Sequence, residues 1–280
     1  MTRLTYEQYD AIPAVRWSSL KELAPPNGSP LRYQYRLKHP RPDTASLTLG
    51  SAAHVAVFEP DEFPRRYLVY TKSKTKGEGA RKDWDAAKEA AAKEGKTILG
   101  SDEYDTALAI RDAVRSHPVA RKYLERGQAE HTIEWTDRDT NLNCKARLDW
   151  LADEYLIDLK TARAIDAHSF ASATARLLYH GQLAFYLQGL DAIRRQPRLP
   201  VLIAVENAPP YDVAVYRPDA EMMEAGHELV RELLAKCRAA ELISERTGMA
   251  PTERMLSLPR WAVEDDDYEW EVKESNDGPR

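Results

Sequence analysis

Only two cysteines, Cys144 and Cys237, occur in the 280 residues. That is too few for a disulfide framework, a four-cysteine zinc site or a four-cysteine iron–sulfur cluster, so no such cluster is expected. One cysteine falls in an expected strand and the other in an expected helix, and both read as small buried hydrophobes. Long apolar runs are missing too. None approaches the roughly 20 residues that cross a bilayer, and the start, Met1-Thr-Arg-Leu-Thr-Tyr, has no signal-peptide core. No membrane partner is expected, and a cytoplasmic location is. Excess positive charge is also lacking. A net charge of −5 argues against a protein that coats nucleic acid by charge alone, though not against an enzyme acting on it. No Gly-x-Ser-x-Gly elbow or activated Ser or Cys pattern is visible, which speaks against covalent hydrolysis. Repeats of solenoid period are absent.

What is present, 43% hydrophobic and 30% charged residues, is the make-up of a soluble globular protein. Residues 1–126 are expected to be mostly helical. Ser18 and Ser19 read as helix caps before Leu20 and Leu23, and Pro25-Pro26-Asn27-Gly28 stops that helix. A second helix is expected over 47–58, with Leu49, Ala53, Val57 and Phe58 at helical spacing. Residues 71–80 carry no apolar side chain beyond one Ala and read as a mobile basic loop. Helices are expected next at 81–94, 101–115 and 118–126. Within 127–245 the pattern changes to alternation over 129–136, 143–151, 155–161, 201–207 and 211–217, which predicts five strands. A long helix is expected over 168–194 and another over 219–244. Residues 262–280 are acidic, nearly devoid of apolar side chains and expected to be disordered. The chain from 1 to 261 therefore reads as a single α/β domain, with a mixed central sheet flanked by helices and an N-terminal helical elaboration.

The second and third strands carry the most chemistry. Lys145, Arg147 and Asp149 share one parity, with Ala146, Leu148 and Trp150 on the other; Asp158 and Lys160 likewise oppose Ile157 and Leu159. With Asp153-Glu154 as the turn, Asp149 stands opposite Asp158, with Cβ atoms about 4.5–5.5 Å apart, and Arg147 opposite Lys160. Asp-Glu is not a favoured two-residue turn, but another loop would still leave the two acids on adjacent strands. Facing carboxylates repel, and they are tolerated best around a cation. Oxygen ligands without Cys or paired His suit Mg²⁺, with Mn²⁺ as a substitute, rather than zinc. Lys160, on the same face, can orient a water or stabilise charge on a phosphate. The plain alternative is a solvated hairpin, since Asp…Asp-x-Lys is common by chance.

Other segments bear on that choice. They are Tyr9, Trp17-Ser-Ser-Leu-Lys21, Ser29-Pro30, Leu49-Gly-Ser-Ala-Ala-His54 and Phe58-Glu-Pro60. Further along come Glu130, Cys144-Lys-Ala-Arg-Leu-Asp149, Ile157-Asp-Leu-Lys-Thr161 and Tyr179-His-Gly-Gln-Leu-Ala-Phe-Tyr186. In this order and spacing the set resembles the PD-(D/E)XK (restriction-endonuclease-like) nuclease core. Within that superfamily it resembles the RecB-like branch, and most of all phage and prophage exonucleases of the exonuclease VIII (RecE) type. The likeness covers most of residues 5–245. One departure is that Leu148, not Pro, precedes Asp149, which is frequent in this branch.

The resemblance implies a PD-(D/E)XK core in which Asp149, Asp158, the Leu159 carbonyl and His54 hold the metal and Lys160 positions the attacking water. It implies an acid, here Glu130, that assists a second metal or the water. Gln182 and Tyr186 are implied beside the metal, in contact with DNA. Tyr179, Gln182 and Tyr186 fall at i, i+3 and i+7 and so share one helix face; a glutamine between two tyrosines is less typical of core, because its amide would need buried partners. Thr161, Arg163 and the lysines of the 71–80 loop are candidate phosphate contacts. Gly50 is expected to let its helix approach the catalytic strands closely. By the same resemblance the activity is a Mg²⁺-dependent exonuclease on double-stranded DNA ends in the bacterial host cytoplasm. It would digest 5′→3′ as a homo-oligomeric ring and leave 3′ tails for a single-strand annealing recombinase in phage-type recombination. The alternatives are a RecB-like endonuclease or single-strand nuclease, or a DNA-binding assembly subunit that has lost catalysis. The intact Asp149, Asp158 and Lys160 argue against the last.

Overall fold

The computed structural model describes residues 4–39, 42, 44–71, 78–193, 197–242 and 255–258. Side-chain caps set several of the first helices. Thr5 and Gln8 form a reciprocal capping box for α1 (Tyr6–Ala11). Next comes α2 (Trp17–Leu20), which runs into a 3-10 turn at Lys21–Leu23. Ser18 and Ser19 do not cap it. Arg16 holds the cap position without a side-chain bond, and the buried Ser19 accepts from the Arg16 side chain instead. Ser29 caps α3 (Pro30–Lys38), whose Pro30 suits the first turn, and Thr44 caps α4 (Ala45–Phe58).

After α5 (Phe63–Arg66), strand β1 (Tyr67–Tyr70) pairs in parallel with β2 (Thr97–Gly100), the two joined through α6 (Glu78–Lys93). Nothing in the sequence announces this small sheet, because four-residue strands are too short for alternation to stand out. Residues 78–80 of the expected basic loop start α6; residues 72–77 lie outside the described residues, as does the acidic tail 262–280. Then come α7 (Ser101–Ser116) and α8 (Ala120–Tyr123), the latter much shorter than the expected 118–126 helix.

The five expected strands are all present: β3 (Gln128–Thr136), β4 (Asn143–Leu151), β5 (Tyr155–Ala162), β6 (Leu199–Glu206) and β7 (Val213–Tyr216). They form one sheet in that order, with β5 and β6 parallel and every other pair antiparallel. The connection from β5 to β6 is two helices rather than one, α9 (Ala167–Leu177) and α10 (Tyr179–Ile193). They part at Leu178, which sits at φ 61° and ψ 39°. A leucine at a left-handed helix end carries none of the usual glycine signal, so the pattern runs the two helices together. A final helix, α11 (Ala220–Leu242), completes the compact unit Met1–Met249; Ala250–Arg280 form a separate unit. Among the described residues no helix is long and apolar enough to cross a membrane.

Both faces of the sheet are buried. On one, Ile157, Leu159, Val201, Ile203 and Val205 pack against Ala53 and Val57 of α4 and Ile110 and Val114 of α7. On the other, Ala146, Leu148, Leu156 and Leu202 pack with Leu183 and Leu190 of α10 and Leu233 of α11. The two cysteines are buried free thiols in this second layer.

The β4–β5 hairpin has the expected register, but only at its closed end. Trp150 pairs with Ile157 and Leu151 with Leu156, and there the ladder stops. Asp149 and Asp158, next in register, are not ladder partners, and the strands fork. Beyond the fork the N-terminal segment takes the place beside β4. The Val15 N–H donates to the Asn143 carbonyl and the Lys145 N–H to the Val15 carbonyl, each at 2.8 Å. The side chain of Lys145, 2% exposed, fastens the same segment by donating to the carbonyls of Tyr9 (2.7 Å), Asp10 (3.0 Å) and Ile12 (2.7 Å). Replacing it by methionine keeps the volume and strands these carbonyls. Lys145→Met is therefore expected to cost about 2–4 kcal/mol and to expose residues 5–16 to proteolysis; limited digestion with a melting curve checks this.

Candidate active site

The fork gathers the charged residues of three strands. Glu130 occupies the register position across from Asp149, and Asp149 the one across from Asp158. The Asp149 carboxylate reaches over the gap and accepts from the Leu159 N–H at 3.0 Å. From α4, His54 places Nε2 2.8 Å from the Leu159 carbonyl and 3.7 Å from the Asp149 carboxylate. His54, Asp149 and the Leu159 carbonyl, three of the four groups expected to hold the metal, thus meet at one place, and Asp158 is near enough to act on Asp149 electrostatically. Helix α4 delivers His54 because its Ala53 and Val57 are buried against β5 and β6.

Asp158 and Lys160 point to the other side, toward α10. Lys160 forms an ion pair with Asp158 and donates to the Gln182 Oε1 at 3.0 Å. Gln182 Nε2 donates to the Tyr186 hydroxyl at 2.8 Å, and the Tyr179 ring centre lies 4.6 Å from the Lys160 ammonium. The stripe read from helical spacing is one connected set. Thr161 continues β5 half-buried, while Arg163 lies beyond the strand, exposed.

Two expectations about the hairpin are corrected. Arg147 does not stand against Lys160; it is ion-paired to Glu130 on β3. Nor do Asp149 and Asp158 share a face: Asp149 keeps the side of Arg147 and Lys145, toward His54 of α4, while Asp158 faces α10 with Lys160. Leu148 and Leu151, three residues apart, both lie in the α10 layer, whereas Trp150 packs in the α4 layer. The alternation breaks at Asp149, opposite Glu130, whose φ is +53°. Sequence reasoning missed Arg147 as a partner of Glu130, and a charged residue of opposite sign two places off register was the available signal.

Burial dominates the electrostatics. It lifts the Asp149 carboxyl; His54 opposes this and Asp158 adds to it, leaving the pKa pushed up to about 6. Burial would lower the Lys160 ammonium, but Asp158 and Asp149 outweigh it, so its pKa is raised and it stays a cation. The Tyr186 hydroxyl is held well above its ordinary value by burial and by the two aspartates. Asp158 is 1% exposed, and neither of its carboxylate oxygens accepts a hydrogen bond of good geometry despite the Lys160 ion pair. Lys160 supplies one counter-charge, and a buried carboxylate whose remaining lone pairs have no partner would gain from a second cation. Among the described residues no three His, Cys, Asp or Glu side chains already form a metal cage. The fit rests instead on two carboxylates, one imidazole and a backbone carbonyl, a hard donor set suited to Mg²⁺ or Mn²⁺.

Residues 17–251 match the family described as a PDDEXK-like domain of unknown function (DUF3799). The chain belongs to that family. Its PDDEXK-like fold is shared with a protein from Eubacterium rectale, provisionally described as an exonuclease, at a TM-score of 0.62 and 14% identity over 92% of this chain and 96% of that one. An alkaline exonuclease from Laribacter hongkongensis aligns with 69% of the PDDEXK-like chain and 90% of its own, at 15% identity and a TM-score of 0.27. No curated protein matches.

Gly50 of this PDDEXK-like domain is not demanded by close packing, contrary to expectation. An added Cβ would meet only Thr161 Oγ1, at 3.9 Å, whereas one on Gly181 would strike the Trp17 ring at 2.4 Å. Gly50→Ala is expected to raise stability by about 0.5–1 kcal/mol and Gly181→Ala to lower it by about 1–3 kcal/mol, as read from denaturant midpoints. The raised Asp149 pKa gives a pH dependence. The folded state of metal-free protein holds this proton to about pH 6, well above the unfolded value, so the stability it contributes is lost as pH rises through 6. In EDTA, unfolding free energy should fall by about 1–1.5 kcal/mol between pH 5 and 7.5 through this group. Asp149→Asn should lack that component of the fall.

Proposed function

We propose that this protein is a Mg²⁺-dependent exonuclease, able to use Mn²⁺, that degrades double-stranded DNA from its ends. The observation that carries the reading is the buried Asp158 carboxylate, with the Lys160 ammonium as its counter-charge, beside the Asp149–Leu159–His54 cluster. His54, Asp149, Asp158 and the Leu159 carbonyl would hold the metal. When bound, a divalent ion supplies Lewis acidity toward the scissile phosphate and a lowered pKa for a water ligand.

The other residues act on position and charge. Lys160 remains protonated, so it serves as a fixed cation that orients the attacking water and balances charge developing on the phosphate, not as a proton acceptor. Gln182 holds that ammonium from one side while bonding Tyr186 with its other end. Tyr179 walls the ammonium with its ring and, with Gln182 and Tyr186, faces the DNA strand. Thr161 and Arg163, at the open end of β5, meet the backbone phosphates. The description of the Eubacterium rectale protein as an exonuclease favours end-dependent digestion over endonucleolytic cutting. Digestion runs 5′→3′ by a ring of identical chains in the bacterial cytoplasm. It leaves 3′ tails for a single-strand annealing recombinase in phage-type recombination.

The test uses linear and closed circular duplex in Mg²⁺, with either end labelled. Wild type should consume the linear form alone and release the 5′ label first. Asp158→Ala and Lys160→Ala should slow this at least ~100-fold. Equal digestion by the variants removes the site, and attack on the closed circle removes the exonuclease reading.

A further inference from the structure

The ladder between β3 and β4 lapses at one row. Ala129 pairs with Trp150 and His131 with Leu148, but Glu130 and Asp149 between them do not pair, although no residue is inserted in either strand. At this row both strands roll over. Ile133 and Trp135 face the α10 layer while Ala129 faces the α4 layer, and on β4 Ala146 and Leu148 face α10 while Trp150 faces α4. The centre of the roll is Glu130, a non-glycine residue at φ +53°. Such a conformation is uncommon for a glutamate and persists only where its surroundings enforce it.

Arg147 is the partner placed to enforce it. Its guanidinium is ion-paired to the Glu130 carboxylate, with side-chain exposures of 13% and 15%. Arg147 Nε and Nη1 are buried and make no hydrogen bond, so Glu130 is the counter-charge that balances them. The outcome of the roll is local. Asp149, across from Glu130, is the last β4 residue before the roll; it keeps the side of Arg147, and its carboxylate takes the Leu159 N–H and approaches His54.

We propose that Arg147 and Glu130 are a positioning pair: their ion pair holds the left-handed turn at Glu130, and with it the roll that sets Asp149 in the metal-holding fork. Glu130 thereby acts through Asp149 and not as a metal ligand. The inference rests on the metal-dependent reading for its consequence, but the placement of Asp149 is a property of the metal-free chain.

The experiment therefore has two readouts on the full chain: exchange of the Leu159 amide by NMR without metal, and Mn²⁺ affinity by calorimetry. Four variants serve, each first checked for folding: Arg147→Met, Glu130→Val, their double, and Glu130→Asn. Valine resists a left-handed backbone and asparagine tolerates it. Arg147→Met and Glu130→Val should each speed Leu159 exchange and weaken Mn²⁺ about tenfold, the scale typical of groups that orient metal ligands. The double should be no worse than either single, because the pair acts as one unit. Glu130→Asn should keep both readouts within about threefold of wild type. If Glu130→Asn binds Mn²⁺ as poorly as Glu130→Val while Leu159 stays protected, the carboxylate touches the cation itself and the proposal is wrong. Unchanged single variants, or losses that multiply in the double, overturn it as well. If wild type binds no Mn²⁺, the nuclease reading fails, and Leu159 exchange still decides whether the pair positions Asp149.

Discussion

The separation of β4 from β5 governs the rest of the molecule. Two pairs hold the hairpin at Trp150–Ile157 and Leu151–Leu156, and the next row would set Asp149 directly against Asp158. Opposed like charges destabilise a ladder, and here the strands part at that row. Parting frees backbone groups in a buried setting, and buried backbone groups must find partners. Four of them do so off the ladder. The Leu159 N–H goes to Asp149, the Leu159 carbonyl faces His54, and the Asn143 carbonyl and Lys145 N–H are taken by Val15. The fork thus draws α4 to one side of β5 and the N-terminal segment to the vacated edge of β4.

Charge and stability are segregated as a result. Asp149, Asp158, Glu130, Lys160, Arg147 and Lys145 all sit on the forked strands or across from them, largely out of water. Buried ion pairs contribute little net stability, since desolvation offsets their attraction. The fold must draw its stability from the two apolar layers, which are filled by aliphatic and aromatic side chains without such charges. Those layers clamp β5 and β6 over eight paired residues on the side away from the fork. A strand so held can tolerate the buried Asp158 carboxylate at its middle.

How much of this was legible in the sequence follows from what each signal depends on. The five strands, α4 and α11 were legible because burial on a sheet face or helix stripe imposes periodicity. The turn at Asp153-Glu154 and the first two pairs of the hairpin were legible from register alone. The fork was not, because the energy that opens it is a repulsion between residues on different strands, which parity counting treats as an ordinary contact. Nor was the roll at Glu130, since one left-handed glutamate leaves no compositional trace. Leu178 hid the break between α9 and α10 for the same reason. The four-residue strands β1 and β2 lack the length for a period to appear. Among the site residues, His54, Asp149, Asp158, Lys160, Gln182, Tyr186 and Tyr179 are brought together. Arg163, chosen for its charge alone, stands apart.

The middle of the α10 stripe shows why residue type matters there beyond shape. Gln182 must accept from the Lys160 ammonium at one end and donate to the Tyr186 hydroxyl at the other. A glutamate could do the first but not the second, and it would bring another acid to a fork that already holds Asp149, Asp158 and Glu130. An apolar residue would leave the ammonium short of an acceptor in a buried setting. A neutral side chain with an acceptor and a donor on one carbon meets both demands without adding charge. The tyrosine one turn later then supplies an oxygen whose proton is held firmly, because burial and the two aspartates keep its pKa far above neutrality. The stripe that resembles ordinary core on a helical wheel is therefore a polar brace. It fixes where the one cation beside Asp158 can sit.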